Sequence, residues 1–352
     1  MVDSSMGHAG GSAPRRRWRW LYGLGLFLLA PCVGEFLLGN QPITAFPYVV
    51  LLAPMYGGGA LLVREVGRRA GGWPTMVVLA AAYALFEEGP IDQMLFNPAY
   101  LGFDNFAGHA PIPGLGISAT LVQESLVMHA VWSICVPIAL VEAFDRQPPR
   151  AWLGRVGLTI TATAFVLGSV ALALMQYERF RFVATPVQFA VVGAAVVGLV
   201  AVALWRARRT AGTVREQGRG APGPVAVTAS VFGLSSLYWL TDLVAPWFVG
   251  AWPVIGCCLV PVLAGGSLLT HWSRRPGWGR VHRLAVARGA LLTYVWVGVV
   301  HSASLGVPLP IGLAGNVVFG VGAIVLVVLA GRRRVATPSP EVSDGGALAP
   351  SR

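Results

Sequence analysis

Three acidic residues stand close together at the end of an apolar segment. The chain has fifteen acidic residues, and the stretch YALFEEGPIDQ holds Glu87, Glu88 and Asp92. Carboxyl groups crowded into a medium of low dielectric constant repel one another, so we expect that not all of them are ionised. A carboxyl group that exchanges its proton near neutral pH suits a general acid or base, and equally suits a proton-coupled carrier. These residues are therefore the first candidates for chemistry.

The segments that hold these acids have the composition of membrane helices. Hydrophobic residues make up 55% of the chain and charged residues 12%, whereas about 25% of a soluble domain is charged. Ten apolar segments are long enough to cross a hydrocarbon core of about 30 Å. They are residues 18–38, 46–63, 74–95, 118–143, 154–177, 184–206, 223–246, 251–272, 287–306 and 309–331. The sequence thus predicts an all-α, polytopic integral membrane protein with about ten transmembrane helices.

The arginines predict how these helices are oriented. The chain has no lysine, and with the N-terminus inside, all of its 26 basic residues except Arg179 and Arg181 fall on the cytoplasmic side. This distribution follows the positive-inside rule and requires an even number of spans with both termini cytoplasmic. The net charge of +11 is then explained by arginines near anionic lipid rather than by nucleic-acid binding, which we do not expect.

The same pattern predicts the domain organisation. Residues 15–334 form a single transmembrane domain, and residues 1–14 and 335–352, rich in Gly, Ser, Ala and Pro, are predicted to be disordered tails. The first apolar segment lacks an A-x-A-like cleavage site, so we interpret it as an uncleaved helix rather than a signal peptide. The predicted location is the cell membrane, as a multi-pass protein.

Polar residues of five predicted helices fall at one depth, the outer third of the membrane. An ionisable group at that depth costs several kcal/mol unless it is paired, hydrated or neutral, and it is a functional candidate by default. We therefore predict an outward-facing polar cavity. The candidate residues besides Glu87, Glu88 and Asp92 are Glu35, Glu124, His129, Tyr238, Asp242 and His301.

Each candidate also has a structural interpretation. Glu35 and Asp242 suit the headgroup level, and Glu124 suits the dipole at the start of a helix. His129 lies in a polar stripe that equally suits a hydrogen bond between helices. Adjacent helical residues point about 100° apart, so we expect Glu87 and Glu88 not to face one pocket wall squarely.

The Glu-Glu pair followed by a histidine in a later helix resembles the CPBP family of intramembrane proteases (CAAX proteases and bacteriocin-processing enzymes). The resemblance covers about residues 74–145. In that family a Glu-Glu-x-x-x-Arg motif activates water and two later histidines complete the site, which implies these roles for Glu87, Glu88, His129 and His301. The sequence departs from the pattern: "EEGPID" has no arginine, "SLVMH" has Ser125 where phenylalanine is expected, and His301 lacks the following asparagine.

The leading hypothesis is a membrane-embedded enzyme that uses Glu87 or Glu88 with His129, and with His301 as a further partner. It acts on a lipid-borne or membrane-embedded substrate, either as a hydrolase or as an isoprenoid cyclase lined by aromatic residues. The sequence identifies neither a metal nor another cofactor. A proton-coupled carrier of a small molecule, with helices broken at prolines such as Pro54, Pro90 and Pro261, is the alternative. A structural or partner-binding membrane protein is the third. The residues assigned to substrate binding are Glu35, Asp92, Glu124, Tyr238 and Asp242.

Overall fold

The computed structural model describes most of the chain. The described residues are 19–102, 110–145, 147, 149–209 and 219–332. The two predicted tails, residues 1–14 and 335–352, lie outside them.

The described chain is almost entirely helical and contains ten long helices. They are α1 Arg19–Leu37, α2 Ile43–Arg69, α3 Trp73–Phe86 with its continuation Glu87–Ile91, α4 Ala119–Glu142, α5 Arg155–Phe180, α6 Pro186–Arg209, α7 Pro224–Trp247, α8 Ala251–Arg274, α9 Arg280–Ser304 and α10 Leu309–Arg332. This confirms the all-α polytopic membrane architecture. Within the described part, nine of the ten are long and apolar enough to cross a membrane.

The exception is α3, whose apolar character is reduced by its two glutamates. Its neighbours nevertheless show that it runs the full depth of the bundle. A Cβ built on Gly67 of α2 would lie 2.3 Å from Met76, and one built on Gly59 would lie 2.3 Å from Tyr83. These two pairs place α3 antiparallel to α2 along several turns. We therefore treat α3 as the third membrane span, which gives ten.

The bundle keeps the alternating direction that ten spans require. The glycine contacts of α3 with α6 run from Gly71 beside Ala207 to Gly89 beside Val192, which makes this pair antiparallel. In contrast α7 and α9 are parallel, since Thr228 bonds the carbonyl of Ala285 and the Trp296 indole bonds Ser236. The odd-numbered helices thus share one direction, as the arginine pattern predicts.

The helix of the second span is longer than the predicted apolar segment, residues 46–63, because α2 continues to Arg69. Arg64 and Glu65 are 1% and 0% exposed. The helix continues because the charges pair with one another and with α4, so their burial does not leave them without partners.

Three consecutive glycines allow α2 to pack at the centre of the bundle. A Cβ on Gly57 would lie 2.0 Å from the Phe27 carbonyl oxygen of α1, and one on Gly58 would lie 3.2 Å from Phe165 of α5. Gly59 faces Tyr83 of α3 as described above. The GGG run is thus a tight-packing motif, in which small residues let three neighbouring helices approach the α2 backbone.

The helices widen into π-helical turns at three places in the described chain. These turns are Cys32–Leu37 in α1, Glu87–Ile91 at the end of α3 and Met128–Cys135 in α4. π-turns occur frequently at functional sites. Each of the three carries at least one of the ionisable residues singled out in the sequence. Pro54 and Pro261, predicted as helix breaks, lie inside uninterrupted α-helices.

The segment between α3 and α4 covers the ends of these helices. It contains a short antiparallel pair, β1 Pro111–Ile112 and β2 Ile117–Ser118. Leu95 and Phe96 from the same segment are buried against α3, α4 and α6. Ser118 then caps α4 by accepting a hydrogen bond from the Leu121 amide.

Candidate functional site

His129 lies between the two adjacent glutamates. Its Nε2 atom is 2.7 Å from Oε1 of Glu88, and its Nδ1 atom is 2.9 Å from Oε2 of Glu87. Nδ1 is also 3.1 Å from Oγ of Ser133, and the geometry of that contact is the better hydrogen bond because Glu87 Oε2 meets no partner in hydrogen-bond geometry. All three ionisable side chains are almost fully buried, with Glu87 0%, Glu88 4% and His129 2% exposed.

Glu87 and Glu88 approach His129 from different sides, each at its own ring nitrogen. Two features bring both carboxyl groups to His129. The helix passes from α to π geometry at Glu87, and a π-turn, closed by i→i+5 hydrogen bonds, winds less per residue than an α-turn. The imidazole ring also presents nitrogens on two different edges, so diverging side chains can each reach one of them.

Several oxygen atoms of this site have no hydrogen-bond partner among the described residues. They are Oε1 and Oε2 of Glu87, Oε2 of Glu88 and the hydroxyl of Tyr83. The Tyr83 hydroxyl faces Glu87 but does not reach it in hydrogen-bond geometry. Buried polar atoms are nearly always satisfied, so a group of unsatisfied ones indicates a place for water or a ligand. Tyr83 was not a sequence candidate, because a tyrosine in an apolar run is usually a packing residue.

Glu35 joins the site through a tyrosine that the sequence analysis missed. The hydroxyl of Tyr56 donates a 2.5 Å hydrogen bond to Oε1 of Glu35, and the Tyr56 ring is centred 6.1 Å from the His129 ring. A Cβ on Gly34 would lie 2.6 Å from Oγ of Ser133. The glycine therefore lets α1 approach α4 next to His129. We call Glu35, Tyr56, Glu87, Glu88 and His129 the His129 cluster.

His301 was predicted to be a further catalytic partner, but it does not touch this cluster directly. Its Nε2 atom is 2.6 Å from Oδ1 of Asn40, and the Asn40 amide donates to Glu35 at 3.5 Å. The asparagine thus connects the two. His301 occupies an outlying position.

The other predicted substrate-binding residues form separate groups. The carboxyl groups of Glu124 and Asp242 lie beside each other. Gln123 donates to the hydroxyl of Tyr238 at 2.6 Å. These residues join α4 to α7, about one turn of α4 away from His129.

Asp92 lies outside the membrane helices, where the hydroxyl of Tyr100 donates to it at 3.3 Å. Burial and the nearby Asp92 carboxyl raise the pKa of Tyr100 well above its ordinary value, so this hydroxyl stays protonated as a donor. The segment that holds both residues packs over α3 and α4. The predicted outward-facing cavity is consequently closed over Glu87 and Glu88.

The cyclase hypothesis assigns the pocket lining to Trp132, Tyr238, Trp239 and Trp296, and the first three pack in one aromatic group that also contains Tyr294. Trp132 stacks on Tyr294 with ring centres 4.5 Å apart and planes 1° apart, and Trp239 meets both rings edge-on at 6.0 Å. Trp296 donates to Ser236 at 3.1 Å. Trp132 is 1% exposed. These rings fill a core rather than line an open pocket.

The members of the cluster lie at different places along their helices. His129 lies close to the middle of Ala119–Glu142, about 15 Å along the axis from its start, and Tyr56 lies close to the middle of Ile43–Arg69. Glu35, Glu87 and Glu88 instead lie in the last turns of their helices.

A second charged group lies at the arginine-rich end of the bundle, and sequence reasoning assigned it no role. Glu65 accepts hydrogen bonds from Arg64 at 2.5 Å and from the backbone amides of Trp152 and Leu153 at 2.8 and 3.0 Å. Glu142 pairs with Arg64 at 3.0 Å and with Arg68. We call Arg64, Glu65, Arg68, Arg69 and Glu142 the basic-end network. One feature of the sequence could have indicated this network, because Glu65 is an acidic residue within a run of arginines.

A model of an uncharacterized membrane protein family matches residues 24–231, more than half of the chain. The chain therefore belongs to this family of membrane proteins. The matched region contains the whole His129 cluster and the basic-end network, and it ends before Asp242 and His301. No curated protein and no solved structure matches the chain.

Proposed function

We propose that this family member is a membrane-embedded enzyme in which the His129 cluster moves a proton during the hydrolysis of a lipid-borne or membrane-embedded substrate in the cell membrane. The observation that carries the proposal is that carboxyl oxygens of Glu88 and Glu87 lie within 2.9 Å of the two His129 nitrogens, while the other oxygen of each carboxyl group is buried without a partner. No other group of described residues combines a histidine with unsatisfied buried carboxyl oxygens.

The geometry supports acid/base chemistry in a simple way. An imidazole can donate from one nitrogen and accept at the other, as the contacts of Nε2 with Glu88 and of Nδ1 with Ser133 allow. A proton can pass between His129 and Glu88 along this hydrogen bond, and Oε2 of Glu87 lies 2.9 Å from the other ring nitrogen. A general acid or base positioned in this way contributes about 10²–10⁴ in rate.

A hydrolytic cycle uses the unpartnered atoms. One carboxylate accepts a proton from a water molecule while the water oxygen attacks a carbonyl carbon of the substrate. The free hydroxyl of Tyr83 donates to the oxygen on which negative charge develops. The other protonated group of the cluster then donates its proton to the leaving group, so protons and charge balance. The glutamate and histidine roles are those that the CPBP resemblance implies, and the absence of a matching arginine leaves His129 as the basic group of the cluster.

The cyclase version is less well supported, because Trp132, Trp239 and Tyr294 are packed against one another. A proton-coupled carrier gains from the position of His129 near the middle of its helix, because carriers place their sites near the midplane. It loses because all three π-turns of the described chain lie in the first four spans, whereas a five-plus-five inverted repeat would place counterparts in the second half. Hydrolysis is therefore the leading proposal.

The test is mass spectrometry of lipids and peptides from membranes that express wild type, Glu87→Gln, Glu88→Gln or His129→Ala. Glu178→Gln is the matched control, since Glu178 is exposed and pairs with Arg181 on the surface. We expect a product with wild type and the control that falls at least about 10²-fold in the three cluster variants. Identical profiles in all five strains, with the proteins correctly inserted, would refute catalysis. A compound redistributed across the membrane without change of mass would instead indicate a carrier.

A further inference from the structure

A groove between α9 and α10 ends at an arginine. Its walls are apolar, with Leu291 and Val295 from α9 and Ile324 and Val327 from α10, and Arg288 lies at one end. The groove has a volume of about 290 Å³. A groove between helices at the outside of the bundle faces lipid tails. Its apolar walls alone therefore do not indicate a binding site.

A second, smaller cavity of about 120 Å³ continues from the same arginine toward the arginine-rich end of the bundle. It is lined by Arg280 and Arg288 together with the last turn of α10 at Gly331 and the start of α7 at Pro224. No residue that lines either cavity is acidic. The two cavities adjoin at Arg288, which lines both. We call the pair the path: it is apolar on the Leu291 side of Arg288 and lined by two arginines on the Arg280 side.

The arginine at the junction is incompletely satisfied. The Nε atom of Arg288 is buried and has no hydrogen-bond partner among the described residues. Arg280 is partly engaged, because it donates to the Ala143 carbonyl at 2.5 Å. A guanidinium group offers five donors in a planar fork that matches a phosphate group. The unsatisfied donor therefore points to an anionic oxygen ligand.

We infer that this path binds one anionic phospholipid, with its phosphate at Arg288 and an acyl chain along the groove between α9 and α10. Basic pockets between helices at the cytoplasmic side are known to bind anionic headgroups. A free phosphate would satisfy Arg288 but would leave the apolar groove without an occupant. The combination of an arginine and an adjoining apolar groove favours the lipid. This inference does not depend on the proposed enzyme activity.

Native mass spectrometry of the full chain in a neutral detergent tests the inference, with phosphatidylglycerol and phosphatidylcholine as probes. We expect wild type to retain one phosphatidylglycerol at least about tenfold more tightly than phosphatidylcholine, a preference that Arg288→Gln removes. Arg209→Gln is the matched control, because Arg209 is an exposed arginine whose guanidinium lies over Trp205, away from the groove. It should leave the preference unchanged.

Two further arms keep the inference testable if Arg288→Gln does not fold. Arg288→Lys retains the charge and should retain part of the preference, while Ala323→Phe fills the groove and should weaken the binding of both lipids. Glycerol 3-phosphate should not displace the bound lipid. Equal loss in Arg288→Gln and Arg209→Gln would overturn the inference, as would unchanged binding in Ala323→Phe or full displacement by glycerol 3-phosphate.

Discussion

The acids of the basic-end network and those of the His129 cluster are buried to a similar degree, but their neighbours differ. Glu65 and Glu142 each contact arginine side chains, and Glu65 also accepts two backbone amides. In the His129 cluster Glu87 and Glu88 share a single histidine, and three of their four oxygens have no hydrogen-bond partner among the described residues. Glu35 accepts only from the uncharged groups of Tyr56 and Asn40. A group of buried charges in which each charge has a partner of opposite sign is typical of a structural role. An uncompensated group is stable only if the rest of the fold supports it, and it is available for chemistry.

The largest loss of stability is expected when a buried arginine of the basic-end network loses its carboxylate partner. In Glu65→Gln the buried Arg64 guanidinium keeps its charge and loses a carboxylate partner at 2.5 Å. Removing one partner of a buried ion pair costs about 3–5 kcal/mol. We expect a strong loss of thermal stability in detergent, measured by the unfolding temperature and by the yield of monodisperse protein. Glu178→Gln, on the surface, should change stability by less than about 0.5 kcal/mol; equal effects of the two variants would contradict the comparison.

A smaller effect is expected from crowding the contact between α1 and α4. In Gly34→Ala the new methyl group meets Ser133 Oγ at 2.6 Å, and overpacking of this kind costs about 1–3 kcal/mol. Because Ser133 bonds His129, product formation should fall as well.

Gly25 in the same helix provides the control, since a Cβ there meets nothing within 4 Å. Gly25→Ala should be neutral, or stabilising by up to about 1 kcal/mol through helix propensity. If both alanine variants unfold at the wild-type temperature, the close approach at Gly34 has no structural role.

Asn40→Ala tests whether His301 belongs to the cluster. The variant removes the bridge between His301 and Glu35, and the loss of hydrogen bonds of this type costs about 0.5–1.5 kcal/mol. We expect a modest drop in unfolding temperature and a smaller loss of product than in His129→Ala. Ser304→Ala removes a different hydrogen bond at an exposed site and should be close to neutral. If Asn40→Ala lost as much product as His129→Ala, His301 would belong to the catalytic site.

The smallest effect on stability is expected where the effect on activity is largest. Glu88→Gln replaces an incompletely paired carboxyl group with a neutral amide of nearly the same shape. The unfolding temperature should be unchanged or higher, while product formation is lost, because active-site residues are commonly retained at a cost in stability. Thermal unfolding and product assays on one preparation check both statements. A marked destabilisation by Glu88→Gln would place this glutamate with the structural charges.

Much of the membrane fold could be predicted from composition and arginine placement. Nine of the ten spans are recognisable as apolar runs, and the helix directions follow the arginine distribution. The third span was also identified, because its first part is apolar enough to outweigh two glutamates. The end of α2 could not be predicted, since the burial of Arg64 depends on Glu142 in a distant segment.

The site was predictable in part. Glu87, Glu88 and His129 are conspicuous in an apolar sequence, and the structure brings them into contact. Tyr56 and Tyr83 were missed because a tyrosine in a membrane helix has no distinctive pattern. The π-turns were missed because an extra residue in a helical turn depends on tertiary packing, although Pro31 and Pro90 stand close to two of them.

The three glycines at the centre of α2 also constrain how the chain assembles. Gly57 and Gly59 face α1 and α3, which adjoin α2 in the sequence, but Gly58 faces Phe165 of α5, which is synthesised about 100 residues later. At about 5–20 residues per second, this interval lasts about 5–20 s. During that time one side of α2 presents bare glycine backbone to the lipid or to the insertion machinery. The first four spans therefore complete their packing only when the fifth span arrives, which makes the nascent chain most vulnerable to degradation or mispairing before α5 is inserted.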